Sequence, residues 1–198
     1  MSTAHHTDRP ARSHPAERGH PPLLELGDEL AIPESVTDAR TDSGIELTVP
    51  AAYEPLFVAA PLSYYLGTAV RTADVERPRL VAHETGFERR FSPLPDFQHE
   101  CASLLRQLLY LDCVVRDWTP GTSTSLERYG LDAASLRDSP IAERLTQYDR
   151  AFGARLRSQL PDWHLSTYVE PDPDPLPSMP YLPDDMSLVY LPSASELD

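Results

Sequence analysis

The sequence predicts an α/β or α+β fold: a mixed sheet with a long central helix and several short helices, in a single domain behind a disordered N-terminal tail. Three observations carry this expectation. Ile45-Glu46-Leu47-Thr48-Val49 alternates apolar and polar residues between Ser43-Gly44 and Pro50, the signature of a half-buried strand. Leu56-Phe57-Val58-Ala59-Ala60 is a continuous apolar run that suits a strand buried on both faces, and Pro61 follows where a short helix can begin, so the two form a unit of α/β type. From about Pro95 to Trp118, the residues Phe97, Cys101, Leu104, Leu108, Leu111, Val115 and Trp118 recur at spacings of three and four. That is one apolar helical stripe, widened by Leu105 and Leu109.

Taken in order, residues 1–22 are polar, rich in Pro and without apolar period, so they are expected to be disordered and to leave 23–198 as the domain. Leu23–Ile32 is short and mildly apolar. The helix begun at Pro61 carries Leu62-Ser63-Tyr64-Tyr65-Leu66 and stops at Gly67. Arg79–His83 and Phe87–Phe91 flank Glu84-Thr85-Gly86 and predict a hairpin with glycine in the turn. Pro95 and Asp96 suit the first turn of the long helix, and Pro120-Gly121 end it. Thr124 and Glu127 have capping-box spacing for a short helix. Ser139-Pro140 opens another helix, with Ile141, Leu145 and Tyr148 continued by Phe152, Leu156 and Leu160 as far as Pro161. Trp163 to Val169 alternates as a strand, Glu170–Pro175 reads as a stiff, extended, polyproline-like acidic connector, and Met186–Leu191 is a last apolar strand. No repeat is visible.

Composition bounds the setting. All 17 basic residues are arginine, set against 31 Asp and Glu for a formal charge of −14, and asparagine is absent. Lack of Lys and Asn and a scarcity of Ile point to a GC-rich genome. The acidic excess points to salt adaptation, because a charged, hydrated surface stays in solution when salt screens it. Residues 1–22 hold three Arg, two acids and four His, so the rest of the chain carries −15. After Arg157 the only basic side chain is His164, while eight acids follow. No basic footprint or Arg–aromatic cluster suggests nucleic acid. No apolar run suits a membrane span, and no h-region suits a secretory signal. Two cysteines in 198 residues are too few for a disulfide framework or a Cys-rich zinc site, which fits a reducing cytoplasm.

Candidate chemistry is sparse. Cys101 lies on the apolar stripe and reads as a buried structural thiol; His99, two positions away, points to the other side of the helix. Cys113 lies on a different face and could act as a nucleophile only beside a distant His83 or His164. Cys113 and His164 are therefore the catalytic candidates, without a local motif to support them. Asp112 and Arg116, spaced i, i+4 on the border of the stripe, are expected to form a structural ion pair; the functional alternative is a carboxylate that orients a substrate. Glu170, Asp172 and Asp174 alternate as metal ligands can, but prolines hold them apart and no glycine turns the chain, so a solvated connector is the expectation. Tyr64-Tyr65 reads as a packing pair. Phosphate loops, a GxSxG elbow and an HExxH pair are absent. The sequence calls for no cofactor and no metal.

Four stretches, Leu56–Gly67 (LFVAAPLSYYLG), Leu109–Arg116 (LYLDCVVR), Trp163–Pro171 (WHLSTYVEP) and Met186–Pro192 (MSLVYLP), together resemble the amino-terminal to central region of a group of haloarchaeal proteins, some with a downstream CHAT-type, caspase-like region. The likeness spans roughly residues 45–195 and its motifs carry no chemistry. CHAT-type proteases use a His and a Cys; this sequence has no matching contexts, so no catalytic residue is carried over. The resemblance implies a module of something longer, and an end soon after an apolar strand fits that. The expectation is a non-enzymatic cytoplasmic interaction or sensor-like module, whose partner is another protein or a downstream domain, not nucleic acid or membrane. The alternative is a small Cys-dependent hydrolase built on Cys113. Oligomeric state is left open.

Overall fold

The computed structural model describes residues 23–38, 42–116, 126, 129–151, 160, 162–163, 165–184 and 187–192. The N-terminal tail, Trp118, the Pro120-Gly121 stop, the Thr124/Glu127 cap, the continuation through Phe152 and Leu156, and His164 all lie outside the described residues. Six α-helices and six strands are described: α1 (Glu34–Asp38), β1 (Ile45–Pro50), α2 (Tyr53–Leu66), β2 (Ala69–Ala73), β3 (Arg79–Ala82), β4 (Phe87–Arg90), α3 (Asp96–Val115), α4 (Ala133–Asp138), α5 (Ile141–Ala151), β5 (Ser166–Tyr168), α6 (Tyr181–Asp184) and β6 (Leu188–Tyr190). The fold is mixed α/β.

The main sheet has the order β2-β1-β3-β4. The alternation in β1 does what the sequence predicts: Ile45, Leu47 and Val49 are buried, while Glu46, Thr48 and Pro50 are only half-buried. β1 pairs parallel with β2 and antiparallel with β3, and β3 pairs antiparallel with β4. The expected hairpin is present. A single 3-10 turn at His83–Thr85 joins its strands, and Gly86 closes the turn at φ 66, in the left-handed region that favours glycine. β2 was not foreseen, because Ala69–Ala73 is exposed or half-buried along its length and has no apolar face to announce it. It is an edge strand held by a parallel ladder to β1, with an exposed Arg71–Glu46 pair at 2.6 Å.

The expected strand at Leu56–Ala60 is not there. Those residues are the middle of α2, and Pro61, expected as a helix start, lies inside it. A continuous apolar run does not distinguish a strand buried on two faces from a helix buried on all of them. Here the second case holds: Phe57, Val58, Ala59, Leu62, Tyr65 and Leu66 are all buried. Proline inside a helix removes one hydrogen bond and costs roughly 3 kcal/mol; burial of the ring and its neighbours offsets this. The end at Gly67 is as expected. At φ 69, Gly67 donates to Tyr64 O at 3.3 Å, and Thr68 N donates to Ser63 O at 3.0 Å, the paired bonds of a Schellman stop. β1, α2 and β2 thus form a strand–helix–strand crossover, one of few ways to join parallel neighbours.

Helix α3 follows its predicted stripe. Phe97, Cys101, Leu104, Leu105, Leu108, Leu111 and Val115 are buried in one core with Ile45, Leu47 and Leu80 of the sheet and Leu62 and Leu66 of α2. Phe91, just after β4, meets Phe97 edge-on with ring centroids 5.3 Å apart. α4 also went unforeseen; its signal is Asp132, whose side chain accepts from Ala134 N at 3.0 Å. α5 begins after Ser139-Pro140 as expected.

The C-terminal part differs more. The strand expected over Trp163–Val169 shortens to β5, which pairs parallel with β6 in a separate two-stranded sheet. The expected extended connector over 170–175 is instead a series of bends and turns. Asp172 N donates to Glu170 O at 3.0 Å, Asp174 N to the Asp172 carboxylate at 2.9 Å and Leu176 N to Pro173 O at 3.1 Å. An Asp side chain that bonds the nearby backbone competes with the extended form, and here Asp172 does so. This folds Leu176 and Met179 back onto a second, smaller core with Phe57, Val169 and Val189.

Candidate functional site

The sequence placed Asp112 at the border of the α3 stripe. In the structure it is 0% exposed. An ionised carboxylate there needs several donors, since burial without partners costs several kcal/mol. Three elements supply them. Tyr65 of α2 donates its hydroxyl to Oδ2 at 2.7 Å. Tyr148 of α5 donates to Oδ1 at 2.8 Å. Arg144, one turn before Tyr148 on α5, brings Nε to 3.1 Å from Oδ1, in ion-pair contact but off the line of a hydrogen bond. The Arg144 guanidinium also donates to Ser139 O at 2.9 Å, at the start of its own helix. Gln107, a turn and a half before Asp112, donates to Tyr148 O at 2.8 Å. One carboxylate thus ties α2, α3 and α5 together.

This corrects the expected Asp112–Arg116 pair: the guanidinium against the carboxylate is that of Arg144. The reason is geometric. Asp112 points into the core, and the i, i+4 rule describes neighbours on a helix surface. The chemistry follows from closure. Both tyrosine hydroxyls are held well above their ordinary value, first by burial and then by the Asp112 charge they donate to. They stay protonated, as donors to a carboxylate must. With Asp112, Tyr65 and Tyr148 all shut from solvent, the cluster holds helices together; it does not present a reacting group to a substrate.

Cys113 and His164 were the sequence's catalytic candidates. His164 lies outside the described residues, and Cys113 is half-buried near the end of α3. Burial is the largest influence on its thiol and the adjacent Asp112 the next; against the partial help of Arg116 they push it up to about 11. A nucleophilic thiol needs the opposite. His83 is exposed on the hairpin turn. Cys101 is buried in the core, as expected, with its thiol raised well above the ordinary value by burial. Among the described residues, no group of three or more His, Cys, Asp or Glu side chains could hold a metal ion, Glu170, Asp172 and Asp174 included. A void of about 10 Å³ between α2, α3 and β6, lined by Val58, Leu62, Cys101 and Leu188, has room for about one water and no ligand.

Tyr64 and Tyr65 are both buried, as a packing pair should be, but Tyr65 also anchors Asp112. Of the residues that complete the cluster, Arg144 carries no reading from the sequence, and Tyr148 reads there only as part of the apolar stripe of α5. The available signal was an arginine one turn before the tyrosine of an apolar stripe, where a buried cation would call for an acid.

The surface offers a different kind of feature. Leu23, Leu26, Leu30 and Ile32 are exposed, Leu30 to 92%, and Leu165, Tyr168 and Tyr181 are exposed as well. Of the first group, Leu23 and Leu26 line a groove with Leu24, and its other side is Pro173 and Pro177, in the turns after β5. Among the described residues, no helix is long and apolar enough to cross a membrane. Comparison with protein-family models, with curated proteins and with solved structures finds no match to this chain.

Proposed function

We propose that this domain is a non-enzymatic interaction module. One observation carries the reading: of the nine exposed large apolar side chains among the described residues, seven lie in the segments 23–32 and 165–181, and these segments share a groove through Leu23, Leu26, Pro173 and Pro177. Apolar residues scattered singly need no explanation, whereas a contiguous exposed set marks a contact surface. The segment 23–32 supports it further. Its amides and carbonyls make no backbone hydrogen bond to another described residue, and of its leucines only Leu24 packs against a core. On this reading these side chains serve a partner and not the fold. Replacing Leu26 and Leu30 together by serine should change stability by no more than about 0.5 kcal/mol per site, as for surface positions. A loss of several kcal/mol in urea unfolding would mean they pack within the fold, and the reading would fail.

The competing reading, a Cys-dependent hydrolase, is tested at the thiol. Iodoacetamide at neutral pH, followed by mass spectrometry of the Cys113 peptide, should show labelling slower than a free thiol. Labelling much faster, persisting well below the free-thiol value of about 8.5, would replace the module by the hydrolase. The resemblance to haloarchaeal proteins with CHAT-type regions and the formal charge of −14 suggest a salt-rich cytoplasm as the setting and a larger protein or a neighbouring domain as the partner. Circular dichroism in dilute buffer and in molar KCl should then show a fold that gains stability with salt; equal stability would remove the halophilic setting.

A further inference from the structure

Among the described residues, no strand pairs with the outer edge of β5 in the two-stranded sheet. In a parallel ladder only alternate residues of a strand turn their main chain toward the neighbour. Leu165 O accepts from Leu188 N at 3.0 Å, and Val169 N donates to Tyr190 O at 3.0 Å. With Ser166 opposite Leu188 and Tyr168 opposite Tyr190, the groups of Leu165, Thr167 and Val169 face β6. The amides and carbonyls of Ser166 and Tyr168 therefore face away, where no described strand lies. Leu165 is 47% and Tyr168 57% exposed, so residues of this strand stand at the surface.

Open edges are ordinarily guarded against a second copy of the same chain. Here the guard is charge and shortness. β5 spans only Ser166–Tyr168, and the exposed acids Asp162, Glu170, Asp172 and Asp174 flank it. Two copies meeting edge to edge would bring these acids together. The same acids attract a strand of opposite charge. Beside the edge lies a row of rings: Tyr168 against Tyr190 with centroids 5.9 Å apart, and Tyr190 against His99 at 5.6 Å. A strand added outside β5 would place its side chain in register with Tyr168 at the end of that row, where a guanidinium can lie over the phenol face.

We propose that the outer edge of β5 takes an extended, arginine-bearing segment of another protein as an added strand, with one arginine against Tyr168. This rests on the interaction-module reading and names its surface and the chemistry of its partner. Strand addition draws affinity from main-chain bonds and specificity from alternate side chains, so the Ser166 and Tyr168 amides are the reporters.

The probe is a synthetic heptapeptide alternating arginine with valine and threonine. The controls are the same peptide with glutamate for arginine, and one with a central proline that cannot pair. Amide exchange and chemical shifts are followed by NMR on the full chain at moderate salt. The arginine peptide should slow exchange at Ser166 and Tyr168 by at least tenfold, and neither control should. Tyr168→Ala, at an exposed position, should weaken binding severalfold with the fold unchanged. No protection at millimolar peptide overturns the proposal, as does equal protection by the glutamate peptide. Protection that rises with the protein's own concentration, without peptide, would make the occupant a second copy and overturn it too. Any of these failures, with Leu26 and Leu30 still dispensable for stability, would leave the module reading standing. Rapid labelling of Cys113 would remove that reading whatever the edge does.

Discussion

The two ends of the molecule invert each other. Around Asp112, polar groups are buried where apolar ones are the rule, and each finds partners from other helices. Around β5 and residues 23–32, apolar groups stand in solvent where polar ones are the rule. The first end loses stability if any partner is removed, since a buried charge without its partner is costly. The second should lose almost none. The difference teaches where to look for function when no catalytic constellation is seen among the described residues: a buried polar cluster held by partners from within is explained by the fold, and an exposed apolar set is not.

The comparison breaks most sharply at Asp112. Asp112→Ala should cost about 3 to 5 kcal/mol, because it leaves Arg144 buried without its counter-charge and strips two tyrosine hydroxyls of their acceptor. A cost under about 1 kcal/mol in urea unfolding would mean that the carboxylate is not enclosed as described. Leu108→Ala, in the same helix but purely apolar and fully buried, should cost about 2 to 5 kcal/mol as a cavity. A change under about 0.5 kcal/mol would put the α3 stripe on the wrong face. Tyr148→Phe sharpens the contrast. It keeps the ring and removes one of the two hydroxyls on Asp112, so a cost of about 1 to 2 kcal/mol is expected. A neutral result would mean that Tyr65 and Arg144 satisfy the carboxylate alone.

How legible each end was in the sequence follows the same division. Periodicity found β1, the β3–β4 hairpin and α3, because each buries one face more deeply than the other. It failed on α2, where burial on all sides erases the period, and on β2, where exposure does. It failed on 170–175, where the Asp172 carboxylate and local backbone bonds favour turns that Pro-rich composition does not reveal. Asp112 was legible as an anomaly, a charge among apolar neighbours. Its partners were not, because Tyr65 and Tyr148 lie 47 and 36 residues away and only the packing of α2 and α5 on α3 brings them there. Leu23, Leu26 and Leu30 could be read as mildly apolar, but whether they face a core or solvent is settled only in three dimensions.

The smallest effect expected lies beside the first end, at Cys113, and depends on pH. Its thiol is pushed from an ordinary 9.0 up to about 11, so the folded chain holds this proton more tightly than the unfolded chain does. Stability therefore falls as pH rises wherever the unfolded state has already lost the proton and the folded state has not. The contribution is fully present below about 9 and is lost as pH rises through about 11. Tyr65 and Tyr148, also raised, add to the fall at still higher pH. Comparing the intact chain with Cys113→Ala isolates the thiol, because the tyrosines are common to both. The intact chain should lose stability faster than the variant between pH 9 and 11. Because Cys113 is only half-buried, solvent screens part of this difference and it should be small. Parallel pH profiles would mean the thiol titrates alike in both states. A gap opening the other way, with the intact chain gaining on the variant as pH rises, would mean a stabilised thiolate, and would return Cys113 to the list of nucleophiles.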